Sequence, residues 1–516
     1  MEMYQYIQIL NQSNKKWFFS KENIEEKLLV VSKIGESGYP SLIPYLIPYL
    51  KHSNKNLRNK CCETILFLFT KIDSKKGFYE SIKYCQISID DIDFYEKKFP
   101  KEEYLNLLAI SSFNSSGYIR EKAVRKLIES KSERTIPFLI YRLADWVKQV
   151  RDVALQGFEY FKQSEFIDSL LENLPLFEWL QKVQRTDLSG LYNEVVNFII
   201  WGNREYILKS FKKYPEKLRI IIAKYLSETY SDNYQELQLL IADKHFLVRS
   251  FAINHFDKLA KNEIELLLKD KSGKIRYQTL SKLKDCDTFS DLILNFIADE
   301  SGTVRNFARY SLKNSNLDFA EIYSQNLQEK KQIIGSLNGL AEINAVGKVS
   351  IIDQYLSNPI IKVQKTAFFA LQKLDNEKAY SFAVENLSVK ATGLRNIIIE
   401  FLSHNATSDV LKKAREIYKQ DNQDLKKSML KLFSKIGGWS VIADLVIGTI
   451  DNDETIRILS AESIRNWKRQ VTNLFIIPKQ EDIENGKSAL SLASKVLEEK
   501  KYFKEDPLNE LEFYIK

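Results

Sequence analysis

One nine-residue pattern recurs down this chain, and its spacing limits the fold more than any other feature. An apolar residue is followed by Arg, then by a small or apolar residue three positions after the Arg, then by a large apolar residue four beyond that. Eleven instances run from LRNKCCETI (Leu57–Ile65) through IREKAVRKL (Ile119–Leu127), VRDVALQGF (Val150–Phe158) and VRNFARYSL (Val304–Leu312) to IRILSAESI (Ile456–Ile464). The second position is Arg in nine (Arg58, Arg120, Arg151, Arg219, Arg249, Arg276, Arg305, Arg395, Arg457), with Gln364 and Lys426 as the exceptions. Successive second positions lie 62, 31, 68, 30, 27, 29, 59, 31, 31 and 31 residues apart. The three long gaps are close to two periods, so each hides a degenerate repeat; the one before Gln364 falls at Ile333–Leu337–Ala341. About fourteen repeats of roughly thirty-one residues result.

The apolar offsets 0, 4 and 8 track one face of a helix. Upstream of many instances lies a second apolar segment, such as PSLIPYLIPYL, ERTIPFLIYRL, GKVSIIDQYL or WSVIADLVIGTI. Each unit therefore reads as two helices joined by a polar turn. A single pair cannot bury its apolar face, whereas stacked neighbours can. Six residues before the second position stands Asp145, Asp243, Asp270, Asp299 or Asp451, and in two more units Asn114 or Asn358. An Asx side chain there can accept backbone N–H bonds and close the turn, within reach of the Arg of its own or the next repeat.

Asp, turn, Val-Arg-x-x-Ala-x-x-x-Leu at this period resembles the short bacterial-type HEAT repeats of the phycobilin-lyase-like class, and AEINAVGKVSIIDQYLSNPIIKVQKTAFFALQKL matches one repeat end to end. The resemblance implies an all-α, right-handed HEAT/armadillo-like superhelix of about fourteen hairpins. The expected organisation is an N-terminal cap over 1–24, a solenoid over 25–470, and a C-terminal cap over 471–516. Degenerate repeats are expected around 73–112, 183–205 and 330–345.

Composition excludes several function classes. At 516 residues the chain is too long for one compact core, which suits a repeat array. Its 17 Gly and 10 Pro are few, as long runs of helix require. A net charge of +8 among 144 charged side chains is a small excess for a dedicated DNA binder. The four Cys (Cys61, Cys62, Cys85, Cys286) form neither a disulfide framework nor a CxxC pair. No stretch offers the ~20 apolar residues of a membrane span, and the start does not read as a signal peptide. The expectation is a cytoplasmic protein without a membrane partner.

No P-loop, GxSxG, GxGxxG or HExxH motif occurs, so no catalytic residue is assigned. His52, His245, His255 and His404 are scattered, and Asp90, Asp91 and Asp93 read as a solvated acidic loop; neither set suggests a metal, and no cofactor is expected. The Arg column could be a phosphate ladder, but an Asp per repeat makes it a row of struts between repeats. In HEAT-like arrays the second helices line the concave face. There, offsets +1, +5 and +8 from the Arg position fall within about 60° of each other at about 100° per residue. They place Tyr277, Ser281 and Lys284, then Asn306, Tyr310 and Lys313, then Lys365, Phe369 and Gln372 on the floor of the groove. Tyr277, Lys284, Tyr310, Lys313 and Phe369 are the candidate partner-binding residues; the alternative is that the rings pack between adjacent second helices.

Extended surface, balanced charge and no catalytic constellation point to a non-enzymatic scaffold or adaptor for a protein or peptide. The alternative is nucleic-acid binding in the manner of HEAT-like DNA-repair glycosylases, with Asp257 near Tyr277 as the acid–aromatic pair. A chromophore lyase is a third reading, resting on the repeat type alone. Oligomeric state is left open.

Overall fold

The structure, a computed structural model of the protein, describes residues 2–11, 23–73, 75–184, 186–228, 234–471 and 477–515. Every regular element among them is helical, so the fold is all-α. Part of the expected N-terminal cap and most of the VTNLFI stretch that opens the C-terminal one lie outside the described residues. The chain divides into two units, residues 1–263 and 264–516.

The signature falls on the second helix of each pair. In chain order, with the degenerate α8 included, these helices are α1 (Lys55–Phe69), α2 (Gly117–Glu129), α3 (Lys148–Phe161), α4 (Glu216–Glu228), α5 (Phe246–Ala252) and α6 (Gly273–Lys282). They continue as α7 (Gly302–Ser311), α8 (Ile333–Glu342), α9 (Ile361–Leu374), α10 (Thr392–His404), α11 (Gln423–Ile436) and α12 (Glu454–Val471). Offsets 0, 4 and 8 are buried in every instance except Phe256 and Leu283, which are half-buried. Both exceptions fall where the α-helix stops early, at Ala252 and Lys282, so the third turn no longer points at the core.

The first helices are shorter and begin differently. Glu133–Thr135, Val346–Lys348 and Trp439–Val441 are 3-10 turns leading into Ile136–Leu143, Val349–Asp353 and Ile442–Gly448. The PSLIPYLIPYL segment splits further, into 3-10, α and 3-10 pieces over Pro40–Leu42, Ile43–Leu46 and Ile47–Lys51. Pro44 and Pro48 lack the N–H that would continue an α-helix through them.

In the first unit α2 packs on α3 and α4 on α5; in the second, α6 through α12 pack each on the next. One buried cluster runs through the second unit from Leu268 to Ile515. Its long helix α13 (Gln480–Lys500) lies against Ile442–Gly448, and Leu511 and Ile515 after it are buried.

Three stretches break the pattern for visible reasons. Residues 73–112 hold three helices, Lys75–Ile82, Ile89–Lys98 and Lys101–Ser111. The acidic run is the opening of the middle one and not a loop. Ser88 caps it with a capping box to Asp91, while Asp91 pairs with Lys51 at 2.7 Å and Asp93 with Lys122 at 2.7 Å. The acid residues sit where the helix dipole favours them. Within 183–205, Ser189–Val196 runs into a π-helical turn at Asn197–Trp201. In 330–345, α8 approaches its neighbours closely: a Cβ on Gly335 would sit 1.9 Å from the Ala298 carbonyl oxygen, and one on Gly339 2.3 Å from the Tyr323 ring. Glycine is required at both positions, while the signature itself is lost at Ile334, which stands where the Arg would be, and at Ala341 in place of a large apolar residue.

Candidate partner-binding surface

The turn before seven of the second helices is built from the recurring Asx residue. Asp145, Asp243, Asp270, Asp299, Asp451, Asn114 and Asn358 each accept the backbone N–H two residues on, at 2.7–3.0 Å. The Arg six residues later donates from Nη1 to the carbonyl oxygen at that same turn. Eight of the nine arginines reach six residues back, at 2.5–2.9 Å; Arg219 reaches Tyr214, five back, at 2.8 Å. The fixed interval in the sequence is the length of this clasp.

The other edge of the guanidinium faces the following repeat. Arg120 grips Asp145 through Nε at 2.9 Å and Nη2 at 2.7 Å. Arg219 holds Asp243 and Arg276 holds Asp299 in the same two-pronged way, and Lys426 pairs with Asp451 at 2.9 Å. The carboxylate is therefore held by the repeat before it, whereas the sequence expectation was the Arg of its own or the next repeat. Burial pushes the Asp145 carboxyl up, but hydrogen bonds and charge from Arg120 and Arg142 outweigh it and hold it below the usual range. Asp243 and Asp451 are held low by the same balance, with Arg219 and Lys426 as the cations. Bidentate pairs of this kind are strong and geometrically specific.

Arg305 departs from the expected pairing. It takes only the Asp299 carbonyl, at 2.6 Å, and its carboxylate partner is Glu342 on α8, 3.1 Å from Nε and bonded also to Nη2. The following turn carries Gln328 where other repeats have Asp, and Glu342 fills the gap. Arg309 joins the same carboxylate at 2.7 Å and donates to the Tyr323 hydroxyl at 2.8 Å. Burial raises the Glu342 carboxyl, but the two arginines prevail and leave it below the ordinary glutamate range. The missing Asp at position 328 was the available sequence signal for this partner.

With the arginines tied into the frame, the outward face of the second helices is what remains for contact. Of the offsets expected to form its floor, one is consistently outward. At +1, Tyr277 is half-buried and packs edge-on against Phe307 of α7, centroids 5.3 Å apart, because the Arg beside it is aimed into the seam between repeats. At +8, Lys284 and Lys313 lie beyond the ends of the ten-residue helices α6 and α7, in exposed turns. Lys313 nonetheless returns over the Tyr310 ring, with Nζ 4.4 Å from the centroid.

At +5 all eleven residues are exposed: Glu63, Arg125, Gln156, Lys224, Asn254, Ser281, Tyr310, Phe369, Glu400, Lys431 and Glu462. Nine are polar or charged, as a solvated position demands. Tyr310, 64% exposed, and Phe369, 50% exposed, are the exceptions. On the same helices, but at their leading ends, an open cleft of about 1050 Å³ runs across α6 to α9. Its walls alternate in sign, with Lys269, Asp270, Lys271, Glu300 and Lys362 among them. Lys362 and Glu300 pair at 2.8 Å across it.

Asp257, the acid of the nucleic-acid reading, is exposed at the end of the 3-10 segment Ile253–Lys258. No group of three or more His, Cys, Asp or Glu among the described residues could hold a metal. No described helix is long and apolar enough to cross a membrane. Cys61, Cys62 and Cys85 are buried free thiols; burial pushes Cys61 and Cys85 up to about 12.

Stacked helical hairpins, with an Asx turn in seven repeats and an Arg clasp at a fixed interval in eight, make an all-α, HEAT-like helical repeat fold. No family model matches the chain, and no curated protein matches it. Among solved structures it is similar to Kap121p, at 12% identity and a TM-score of 0.31, covering 96% of this chain and 64% of that one. It is also similar to a chain of the Kap95:Nup1 complex, at 11% identity and a TM-score of 0.36, covering 95% and 75%. The chain thus spans just under two thirds of Kap121p's length, and likeness at this level carries no functional argument.

Proposed function

We propose that this protein is a non-enzymatic scaffold or adaptor that holds a protein or peptide partner on the outward face of its second helices. The observation that carries the reading is the +5 position. Nine repeats place a polar residue there and two place a large ring, with no internal packing role to account for it. Exposed aromatic anchors with adjacent cations are what protein-binding surfaces use. Tyr310 with Lys313 and Phe369 are the anchors; Lys284 lies at the rim, and Tyr277 supports α7 from the seam. The alternating charge of the neighbouring cleft favours a protein over a nucleic acid, which would need a continuous positive track. The short period supports reading the repeats as the phycobilin-lyase-like kind, as a repeat type and not as an activity.

The test is capture from the native cell by the immobilised chain, with mass spectrometry, comparing Tyr310→Ala/Phe369→Ala with the control Glu462→Ala. The double variant is expected to lose specific partners by at least about thirtyfold, since truncating one true anchor costs about 2 kcal/mol or more. Unchanged capture would end this reading. Retention on DNA that falls steeply with salt would replace it with nucleic-acid binding.

A further inference from the structure

Arg395 is the one signature arginine in the second unit's run of second helices that is buried without a carboxylate. Its side chain is 4% exposed. Nη1 is spent on the Val389 carbonyl at 2.7 Å, as in every other clasp. The following turn, however, carries Gln420 where Asp would stand, and no glutamate replaces it as Glu342 does for Arg305. Nε instead donates to the Ser428 hydroxyl at 2.9 Å. Nη2 is left without a hydrogen-bond partner, and it is not among the buried polar atoms sealed away from solvent.

That free arm belongs to a residue lining an open pocket of about 490 Å³ between α10, α11 and α12. Lys427, Lys431 and Lys435 line it too, with Asp424 as its single carboxylate. Lys435 is engaged by Glu400 at 2.8 Å. Lys431 donates to the Asn396 amide oxygen at 3.2 Å and interacts with Glu400 through charge alone. Neither Arg395, Lys427 nor Lys431 has an ion pair among the described residues. The lining thus carries four cations against one carboxylate, with Glu400 and Asp453 acting on Lys431 and Lys427 only from outside it. A guanidinium edge flanked by hydroxyls and two ammonium groups suits a tetrahedral dianion better than a planar monoanion.

We infer that this pocket binds the dianion of a phosphate monoester, with Arg395 Nη2 as the central donor and Lys427 and Lys431 as the flanking cations. The pocket is several times larger than a phosphoryl group, so the group arrives attached to something else. Two sources share this chemistry: a phosphorylated side chain on a partner, or a free phosphorylated small molecule. The site does not depend on the Tyr310 and Phe369 anchors, so loss of one leaves the other testable.

The experiment is a 31P NMR titration of the full-length protein with inorganic phosphate and with O-phosphoserine, acetate serving as competitor. In parallel, a peptide library with a central phosphoserine is bound and compared with its unphosphorylated counterpart. Ser428→Asp puts a carboxylate where the hydroxyl now meets Arg395 and so completes the missing pair. It is expected to weaken phosphate binding about tenfold or more while leaving the melting temperature equal or higher. Lys431→Ala, at an exposed position, is expected to weaken it about threefold with no effect on folding. Phosphopeptides bound far more tightly than O-phosphoserine would identify a modified partner, and equal affinities a free metabolite; both support the site. Absence of phosphate binding by the parent protein, displacement by equimolar acetate, or binding unaffected by both variants would overturn it.

Discussion

The turn at Asp145 and the seam at Arg395 start from the same device and end in opposite states. Asp145 is fully buried and is held from two sides, by Arg120 from the preceding repeat and by Arg142 from its own first helix at 3.0 Å. Arg142 in turn lies over the Phe113 ring, 4.6 Å from its centroid. Arg395 is also buried, yet meets a hydroxyl where Arg120, Arg219, Arg276 and Arg305 meet a carboxylate. The clasp to the turn carbonyl is therefore the constant part of the repeat. The carboxylate is a variable part that a repeat can supply from the turn, borrow from a neighbouring helix, or leave out.

This contrast orders the expected effects of substitution. The largest belongs to Asp145→Ala, which strands two buried guanidinium groups. A loss of about 3–5 kcal/mol in urea unfolding is expected, and a loss under about 1 kcal/mol would make the closed seam no different from the open one. Arg305→Ala comes next, at about 3 kcal/mol, because it leaves Glu342 half-buried with only Arg309. Glu342 also sharpens the comparison through pH. Its carboxyl is held below its ordinary value, so its contribution is fully present above the ordinary glutamate range and fades as pH falls through the depressed one. Glu342→Gln should flatten that acid-side loss, and an unchanged pH profile of the melting temperature would deny the pairing. Smaller still, Arg395→Met should fall within about 1 kcal/mol of the parent in either direction, since no carboxylate is orphaned and an apolar chain replaces an uncompensated buried charge. The smallest effect on stability, within about 0.5 kcal/mol, is expected for Tyr310→Ala and Phe369→Ala at their exposed positions.

Most of the fold was legible because its determinants are local and repeated. The apolar spacing marked the buried stripe, and the interval between Asx and Arg marked the turn. What escaped the sequence depends on neighbours. The direction of the Arg–Asp pairing follows from how one repeat docks on the next, which a single period does not encode. The floor residues were placed by angle alone, and angle ignores helix length: Lys284 and Lys313 fall off helices that end at Lys282 and Ser311. Tyr277 was displaced by the partner it packs on, Phe307, which lies in another repeat. Only the +5 offset, clear of the seam and still within α6 and α7, survives as an outward position. The gap at Gln420 was visible in the sequence as an absent Asp, but its meaning required seeing that Arg395 is buried and that lysines gather beside it.

The signature pairings have a direction: Arg120, Arg219 and Arg276 reach forward to the next repeat's carboxylate, whereas Arg395 does not. A double-mutant cycle on Arg276 and Asp299 tests it most directly, using Arg276→Met and Asp299→Ala singly and together in urea unfolding of the full chain. The structure joins the two by both guanidinium arms, and the predicted coupling is about 2 kcal/mol or more, with the same cycle on Arg395 and Ser428 giving about 0.5 kcal/mol or less. Additive losses for Arg276 and Asp299, or equal coupling in the two cycles, would contradict it.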